Sequence, residues 1–412
     1  MNERRLGHRI ESIDAGRGMA ILLMLFVNDI AGVDGLPSWM KHMPTGMDGI
    51  TFVDLVFPAF LFLVGMSLPF AIRRRFDLGE GSWKVWKHIL IRTFGLLVIG
   101  VFMVNSDSIS GKGHLNPHLW TLLMYAAILV VWNNPPKNRE STQKTIIRLR
   151  YAGILLLGVL ALLYQGNGAS GIIQMRPQWW GILGLIGWAY LVSCLIYIPL
   201  RNQMAGLVGA MAILFCLYFA DAGDFLPFLN WLKPYLRVSY MLGSHSAVVL
   251  SGTILGMILT PDSPIKGHKE RIRWAAIYGA ALSLAGLLIH SLHCIHKMFI
   301  INKNLGTPPW CLLSSAIFAW IWALLYWLID VRGWKRWAAP LKSAGANALL
   351  AFILAPIFYS LFALVGSAIG SWNFYADLGN SFSTGLLRAT GFALVLTWMT
   401  GFLRRAGVWL KL

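Results

Sequence analysis

The chain is 412 residues long, 57% hydrophobic and 13% charged, with a mean hydropathy of +0.62, whereas an ordinary soluble domain carries about 25% charge. A water-soluble fold of this length has too little interior to hide that much apolar surface, and a transmembrane barrel would instead alternate in segments of about ten residues. The formal charge of +18 would suggest nucleic acid in a soluble protein, but its Lys and Arg residues lie in short segments between apolar runs, so it reads as membrane topology and no nucleic-acid partner is expected.

A helix needs about 20 apolar residues to cross a bilayer core of roughly 30 Å. The first 18 residues, MNERRLGHRIESIDAGRG, are too charged and too long to look like a cleaved signal peptide. Apolar runs follow at 18 to 33, 52 to 72, 89 to 104, 118 to 132, 150 to 164, 178 to 199, 204 to 220, 246 to 260, 274 to 291, 309 to 329, 343 to 366 and 385 to 403. Apart from the polar NNPPKNRES segment no linker divides them, and no internal repeat is evident. The expected fold class is therefore all-α, a polytopic integral membrane bundle of about twelve helices in a single domain, 1 to 412.

Positive charge tests that division, since successive loops must alternate sides. One side takes the N-terminus, Arg73 to Arg75 with Lys84 and Lys87, the Lys137 to Arg150 loop, Arg201, PIKGHKERIR, RGWKRW and the tail with Arg404, Arg405 and Lys411. The other takes only Lys41, Lys112, Arg176, Lys233, Arg237, Lys297 and Lys303. Both termini are thus expected in the cytoplasm. Cys194 and Cys216 lie in apolar runs and Cys294 and Cys311 flank one loop, so neither a metal nor a disulfide framework is indicated.

The cation-poor side is rich in His, Asp and Asn. Its first loop supplies Asn28, Asp29, Asp34, His42, Asp48 and Asp54, a set suited to proton handling because imidazole titrates near neutrality and a carboxylate can orient it. Asp34, Asp48 and Lys41 also read more simply as solvated loop residues. Asn28 and Asp54 fall within or at the ends of apolar runs, where polar groups are costly and mark function, although Asp54 could instead cap a helix. Pro58, four residues on, removes a backbone donor at that depth. Asp14 and Arg17 share a helix face and can pair, or Arg17 can grip the phosphate of an anionic cofactor. Arg176, His245, His293, His296, Lys303 and Asn304 are further polar candidates on the same side, and Asn347 sits near a helix start on the other.

The segments RIESIDAGRGMAILLMLFVND, KHMPTGMDGITFVDLVFPAFLFLVGMSL and FIINKNLGTPPW, with IDVRGW and GANALLAF downstream, resemble the heparan-alpha-glucosaminide N-acetyltransferase family, and its bacterial members most. The resemblance is dense over 9 to 75 and clear over 295 to 355; between them QMRPQWWGILGLIGWAY anchors it. It implies transfer of an acetyl group from cytoplasmic acetyl-CoA to a glucosamine-type amino sugar beyond the membrane, here the bacterial inner membrane. The family's active-site histidine matches His42, its helix-end asparagine Asn28 and its DLVFP aspartate Asp54; its Asn-Lys-Asn-Leu motif is intact from Asn302 to Leu305. A lumenal N-terminal domain like that of the lysosomal enzyme is not expected here, and Gly184 and Leu185 stand where the family's Gln-Arg pair is expected, a change close to Arg176.

Taken together, His42 is expected as general base or as nucleophile through an acetyl-imidazole, Asp54 as the group fixing its tautomer, and Asn28 as an oxyanion donor. Arg17, Arg92, Lys303, Asn304 and Asn347 are assigned to coenzyme A, and Asp48, Arg176 and His245 to the acceptor. The expected partners are the bilayer and a small-molecule or glycan acceptor; no metal is expected, and the sequence allows a homodimer. The competing readings are a proton-coupled transporter of a small sugar or organic anion, with the same His and Asp as relay groups, and a scaffold without turnover. Acetyl transfer by the purified protein separates them.

Overall fold

A computed structural model describes residues 10–111, 115–134, 140–168, 171–370 and 373–412. Lys112, Lys137, most of NNPPKNRES and the residues before Ile10 lie outside this set. Each of the twelve expected runs carries a helix: α1 (Glu11–Ile30), α2 (Phe52–Asp77), α3 (Ser82–Ser106), α4 (Pro117–Trp132), α5 (Glu140–Leu162), α6 (Ile182–Leu200), α7 (Met204–Ala222), α8 (His245–Met257), α9 (His268–His290), α10 (Pro308–Tyr326), α12 (Ala348–Ala368) and α14 (Phe382–Arg405). The short helices α11 (Ala339–Ala346) and α13 (Phe374–Asp377) and one hairpin, β1 (Gly166–Gly168) with β2 (Gly171–Ile173), complete the described elements. Among the described residues ten helices are long and apolar enough to cross a membrane. The protein is an all-α polytopic membrane bundle.

The chain forms two compact units. Unit 1 comprises Met1–Ala20, Pro37–Phe94 and Leu185–Lys342, and unit 2 comprises Ile21–Leu36, Gly95–Gly184 and Ser343–Leu412. Unit 1 is built on a close crossing of α2 and α8, and small residues make it possible. A Cβ at Gly65 would lie 1.9 Å from the Val249 carbonyl oxygen, and one at Gly252 would lie 1.9 Å from that of Phe62. With backbone against backbone, the Thr253 hydroxyl reaches across to the Gly65 carbonyl at 3.2 Å. Beside this pair α9 and α10 run together, pinned by the Trp320 indole on the Ala276 carbonyl at 3.2 Å. The start of α1 is held by the Asp330 carboxylate, which accepts the amides of Glu11 and Ser12 at 3.0 Å each and so satisfies donors a helix start leaves open.

Unit 2 packs α12 against α4 and α14, and α4 against α5. Trp120 is fully buried there and donates to the Leu160 carbonyl at 3.0 Å. Asp29 and Arg388 form a buried ion pair at 3.1 Å. The other Asp29 oxygen accepts the hydroxyls of Tyr359 at 2.8 Å and Tyr375 at 2.6 Å, so the carboxylate is fully engaged.

Candidate active site

The loop that precedes α2 carries His42, and the first turn of α2 decides where that ring points. Thr51 is the extended residue before the helix, and Asp54 stands three residues on. One Asp54 oxygen, Oδ2, accepts three donors: the Thr51 amide at 3.2 Å, the Thr51 hydroxyl at 3.0 Å and the Met43 amide at 3.1 Å. The other, Oδ1, lies 2.8 Å from His42 Nδ1. Capping and positioning are therefore one arrangement, in which the same carboxylate starts the helix, anchors the loop and holds the imidazole. Since a carboxylate only accepts, Nδ1 carries a proton, and in the neutral ring the lone pair is then on Nε2. Asp54 has no exposed side-chain surface, whereas His42 is 43% exposed, so the ring is held from within and open to a reactant.

A second loop, between α9 and α10, closes over the first. Lys303 Nζ stands 3.3 Å from both ring nitrogens of His42. Burial pushes this ammonium below its ordinary pKa, against the opposing pull of Asp54. Its neighbours clamp the two loops. Asn302 is buried and donates to the carbonyls of Pro44 at 2.9 Å and Met47 at 2.8 Å, while its oxygen accepts the Leu305 amide at 3.1 Å. Asn304 donates to the Met43 carbonyl at 3.0 Å. The turn back into α10 passes through Gly306 in the left-handed region, φ +59°, where a Cβ would stand 2.7 Å from that of Tyr240.

Asp48, expected to be a solvated loop residue, is built into this clamp. It accepts the Ile301 amide at 2.8 Å and pairs with His290 at 2.7 Å. Burial works to raise its carboxyl, but the bonds from His290 and Ile301 prevail and hold it below the usual carboxylate range. His245 lies under the site rather than in it. A π-helical turn, Val238–Ser244, feeds it into α8, where its ring is walled by Phe57 at 5.2 Å, Tyr240 at 5.6 Å and Trp310 at 6.1 Å. Trp310 in turn donates to the Asp54 carbonyl at 3.3 Å, so the cage supports the residue that holds His42.

Unit 1 thus brings together His42, Asp48, Asp54, Lys303 and Asn304 and sets His245 beneath them. Elsewhere in it Arg17 bonds Asp14 at 3.1 Å, and Arg92 lies over the Tyr190 ring at 4.7 Å. Three of the expected site residues belong to unit 2. Asn28 is exposed next to the engaged Asp29, and Arg176 is exposed with its backbone fixed by Asn105. Asn347 is buried, its amide bonding the Val408 carbonyl at 2.9 Å and the Leu410 amide at 3.2 Å, which ties down the C-terminal segment. Thr51, His290 and Trp310 were not foreseen as parts of the site. The T-x-x-D spacing of Thr51 and Asp54 is a helix-start signature that points to the first of them.

Residues 9–259 match the model of a family described as a domain of unknown function, DUF5009. Human heparan-alpha-glucosaminide N-acetyltransferase is 25% identical over 401 residues, covering 86% of this chain and 54% of the human protein. The mouse protein of the same name is 24% identical over 392 residues, with 85% and 54% covered. The chain spans about half the length of these curated relatives. The matches agree with the resemblance drawn from the sequence motifs, and the family model spans well over half the chain, which therefore belongs to the DUF5009 family.

Proposed function

We propose that the protein is a transmembrane acetyltransferase that moves an acetyl group from acetyl-CoA to the amine of a glucosamine-type sugar. The observation that carries this reading is the Asp54–His42–Lys303 constellation, with an imidazole oriented through Nδ1 by Asp54 and the Lys303 ammonium 3.3 Å from its Nε2. An ammonium group cannot attack a thioester. His42 Nε2 takes the proton from the acceptor amine as its nitrogen bonds the carbonyl carbon, and the thioester C–S bond then breaks, the leaving sulfur taking that proton from the imidazolium to depart as the coenzyme thiol. The alternative route forms an acetyl-imidazole on Nε2 first and passes the acetyl group to the amine second. In either route the carbonyl oxygen gains negative charge, which Lys303 Nζ can meet. The family resemblance alone assigns Asn28 a second oxyanion contact.

We assign the coenzyme to the Lys/Arg-rich side of the membrane and the acceptor to the other, with both termini cytoplasmic and the protein in a bacterial inner membrane. Arg92 suits a phosphate group, because its buried Nε has no partner among the described residues. Arg17 and Asn304 remain candidates for the coenzyme, and Asp48 and Arg176 for the acceptor, whereas the buried Asn347 and His245 support the fold around them.

The test is transfer from acetyl-CoA to a panel of amino sugars by the purified protein. His42→Ala should lower transfer by about 100-fold or more, the scale of a lost general base, while thermal stabilisation by coenzyme A persists. Near wild-type transfer by His42→Ala would remove the mechanism. Proton-coupled sugar uptake into vesicles without any transfer would favour a transporter instead.

A further inference from the structure

Unit 1 carries a second polar cleft, at the end of α7, with a volume of ≈520 Å³. Asp221, Asn230, Lys233, Arg237 and Ser239 line it. Asp221 is only 7% exposed; its Oδ2 accepts the Ser239 amide at 2.8 Å, and its Oδ1 has no partner among the described residues. A buried carboxylate oxygen left unpaired has lost its water without gaining a bond in return, so this atom is a standing acceptor for a donor that enters the cleft.

The other charges narrow the kind of donor. Lys233 is paired with Asp224 at 2.7 Å, and Arg237 lies against the Tyr240 ring at 5.8 Å. Two carboxylates facing two cations leave no net charge to attract a bare ion. What remains is an acceptor at Asp221 with donors at Arg237 and Asn230, a pattern that suits vicinal hydroxyls. The volume falls in the range of roughly 300–1,000 Å³ typical of small-ligand sites. Trp231 and Tyr235, sequence neighbours of the lining residues, are 69% and 57% exposed and offer flat faces for the C–H surface of a sugar ring.

The cleft also adjoins the loop that carries Lys303. Tyr218, one turn before Asp221 on α7, donates to the Leu305 carbonyl at 3.1 Å. Tyr240, which follows Ser239, stands against His245 and beneath Gly306.

We propose that this cleft is a saccharide subsite, binding a neutral, hydroxyl-rich sugar ring through Asp221 Oδ1, Arg237 and Asn230 beside the Lys303 loop. The proposal rests on the acetyl-transfer reading only in taking that ring to be part of the acceptor glycan; binding itself does not depend on it. The experiment is saturation-transfer NMR on the full chain, in a detergent without a sugar headgroup. The probes are the β-1,4-linked disaccharides of glucosamine and of N-acetylglucosamine, with phosphate and citrate as competitors. Saturable binding of a disaccharide is expected. Asp221→Asn keeps the shape and can still accept the Ser239 amide, but it presents an NH₂ where Oδ1 stood, so it should weaken binding by about tenfold or more. Arg237→Gln should do likewise, and the melting temperatures of both variants should stay near that of the parent. Absence of saturable binding, unchanged affinity in both folded variants, or displacement of the sugar by phosphate or citrate would each overturn the proposal. Sugar binding without acetyl transfer would instead sink the catalytic reading and leave the cleft standing.

Discussion

Asp54→Asn separates the chemistry from the fold more sharply than removal of His42. The two oxygens of Asp54 are unequal: Oδ2 accepts three N–H or O–H donors from Met43 and Thr51, whereas Oδ1 meets only His42 Nδ1. An asparagine here must choose which end presents its NH₂. Turning NH₂ toward the three donors would set donor against donor at a site with no side-chain exposure, at about 1–3 kcal/mol for each unmade bond. The NH₂ therefore faces His42 Nδ1, which must become the acceptor, and the ring proton moves to Nε2. The base is then lost while the loop and the helix start survive. Transfer should fall by about 10²–10⁴-fold, the scale seen when a carboxylate that fixes a catalytic tautomer becomes an amide, with stability lowered by only about 1–3 kcal/mol for the lost charge. The assay pairs turnover of acetyl-CoA and glucosamine with a thermal melt of the same preparation. A folded Asp54→Asn protein that transfers at the parent rate would refute the tautomer argument.

Lys303→Met should lower transfer by about 10²–10³-fold if the ammonium meets the oxyanion. Because burial lowers its folded pKa, the charged form opposes folding at every pH below that value, so the melting temperature should hold or rise; a clear drop would mean Lys303 is chiefly structural. In unit 2, Asp29→Leu or Arg388→Met alone should lower stability by about 3–5 kcal/mol by stranding a buried charge, and the double variant by less than the sum; additive losses in denaturant titrations would show the pair is not coupled. Asp48 has a folded pKa below its ordinary 3.8, so its contribution is present above that value and disappears as the pH falls through the lower, folded one. Melting temperatures should therefore drop more steeply on acidification in the parent than in Asp48→Asn, and identical slopes would remove Asp48 from the clamp.

The helices were legible because bilayer thickness and backbone hydrogen bonding leave an apolar segment few alternatives. What hydropathy does not encode is the approach of one helix to another. Gly65 and Gly252 read as ordinary residues in apolar runs, yet their missing side chains let α2 and α8 meet at the backbone. His42 and Asp54 lie on one short segment just before and at the start of an apolar run, where the family resemblance singled them out. The contact of Lys303 with His42 was not legible, because the two residues are 261 apart and no periodicity links them. Asp221 was hidden in the same way: it ends an apolar run as a routine helix-end carboxylate, and only the return of Ser239 against it leaves one oxygen unpaired.

The Asn-Lys-Asn motif shows why resemblance carried further than residue type alone. Read singly, three polar residues in a loop invite a ligand for each. In the folded chain the two asparagines spend their amides on the backbone of the His42 loop, Asn302 on Pro44 and Met47 and Asn304 on Met43, and Asn302 is fully buried. Only Lys303, between them, is left to face the imidazole. The clamp and the charge thus serve different ends: the first fixes the distance between two loops far apart in sequence, and the second uses that distance. A ring held by Asp54 from α2 and an ammonium delivered from the α9–α10 loop can keep a 3.3 Å separation only while the loops move as one piece, and fixed geometry of this kind is what proton transfer and oxyanion stabilisation require.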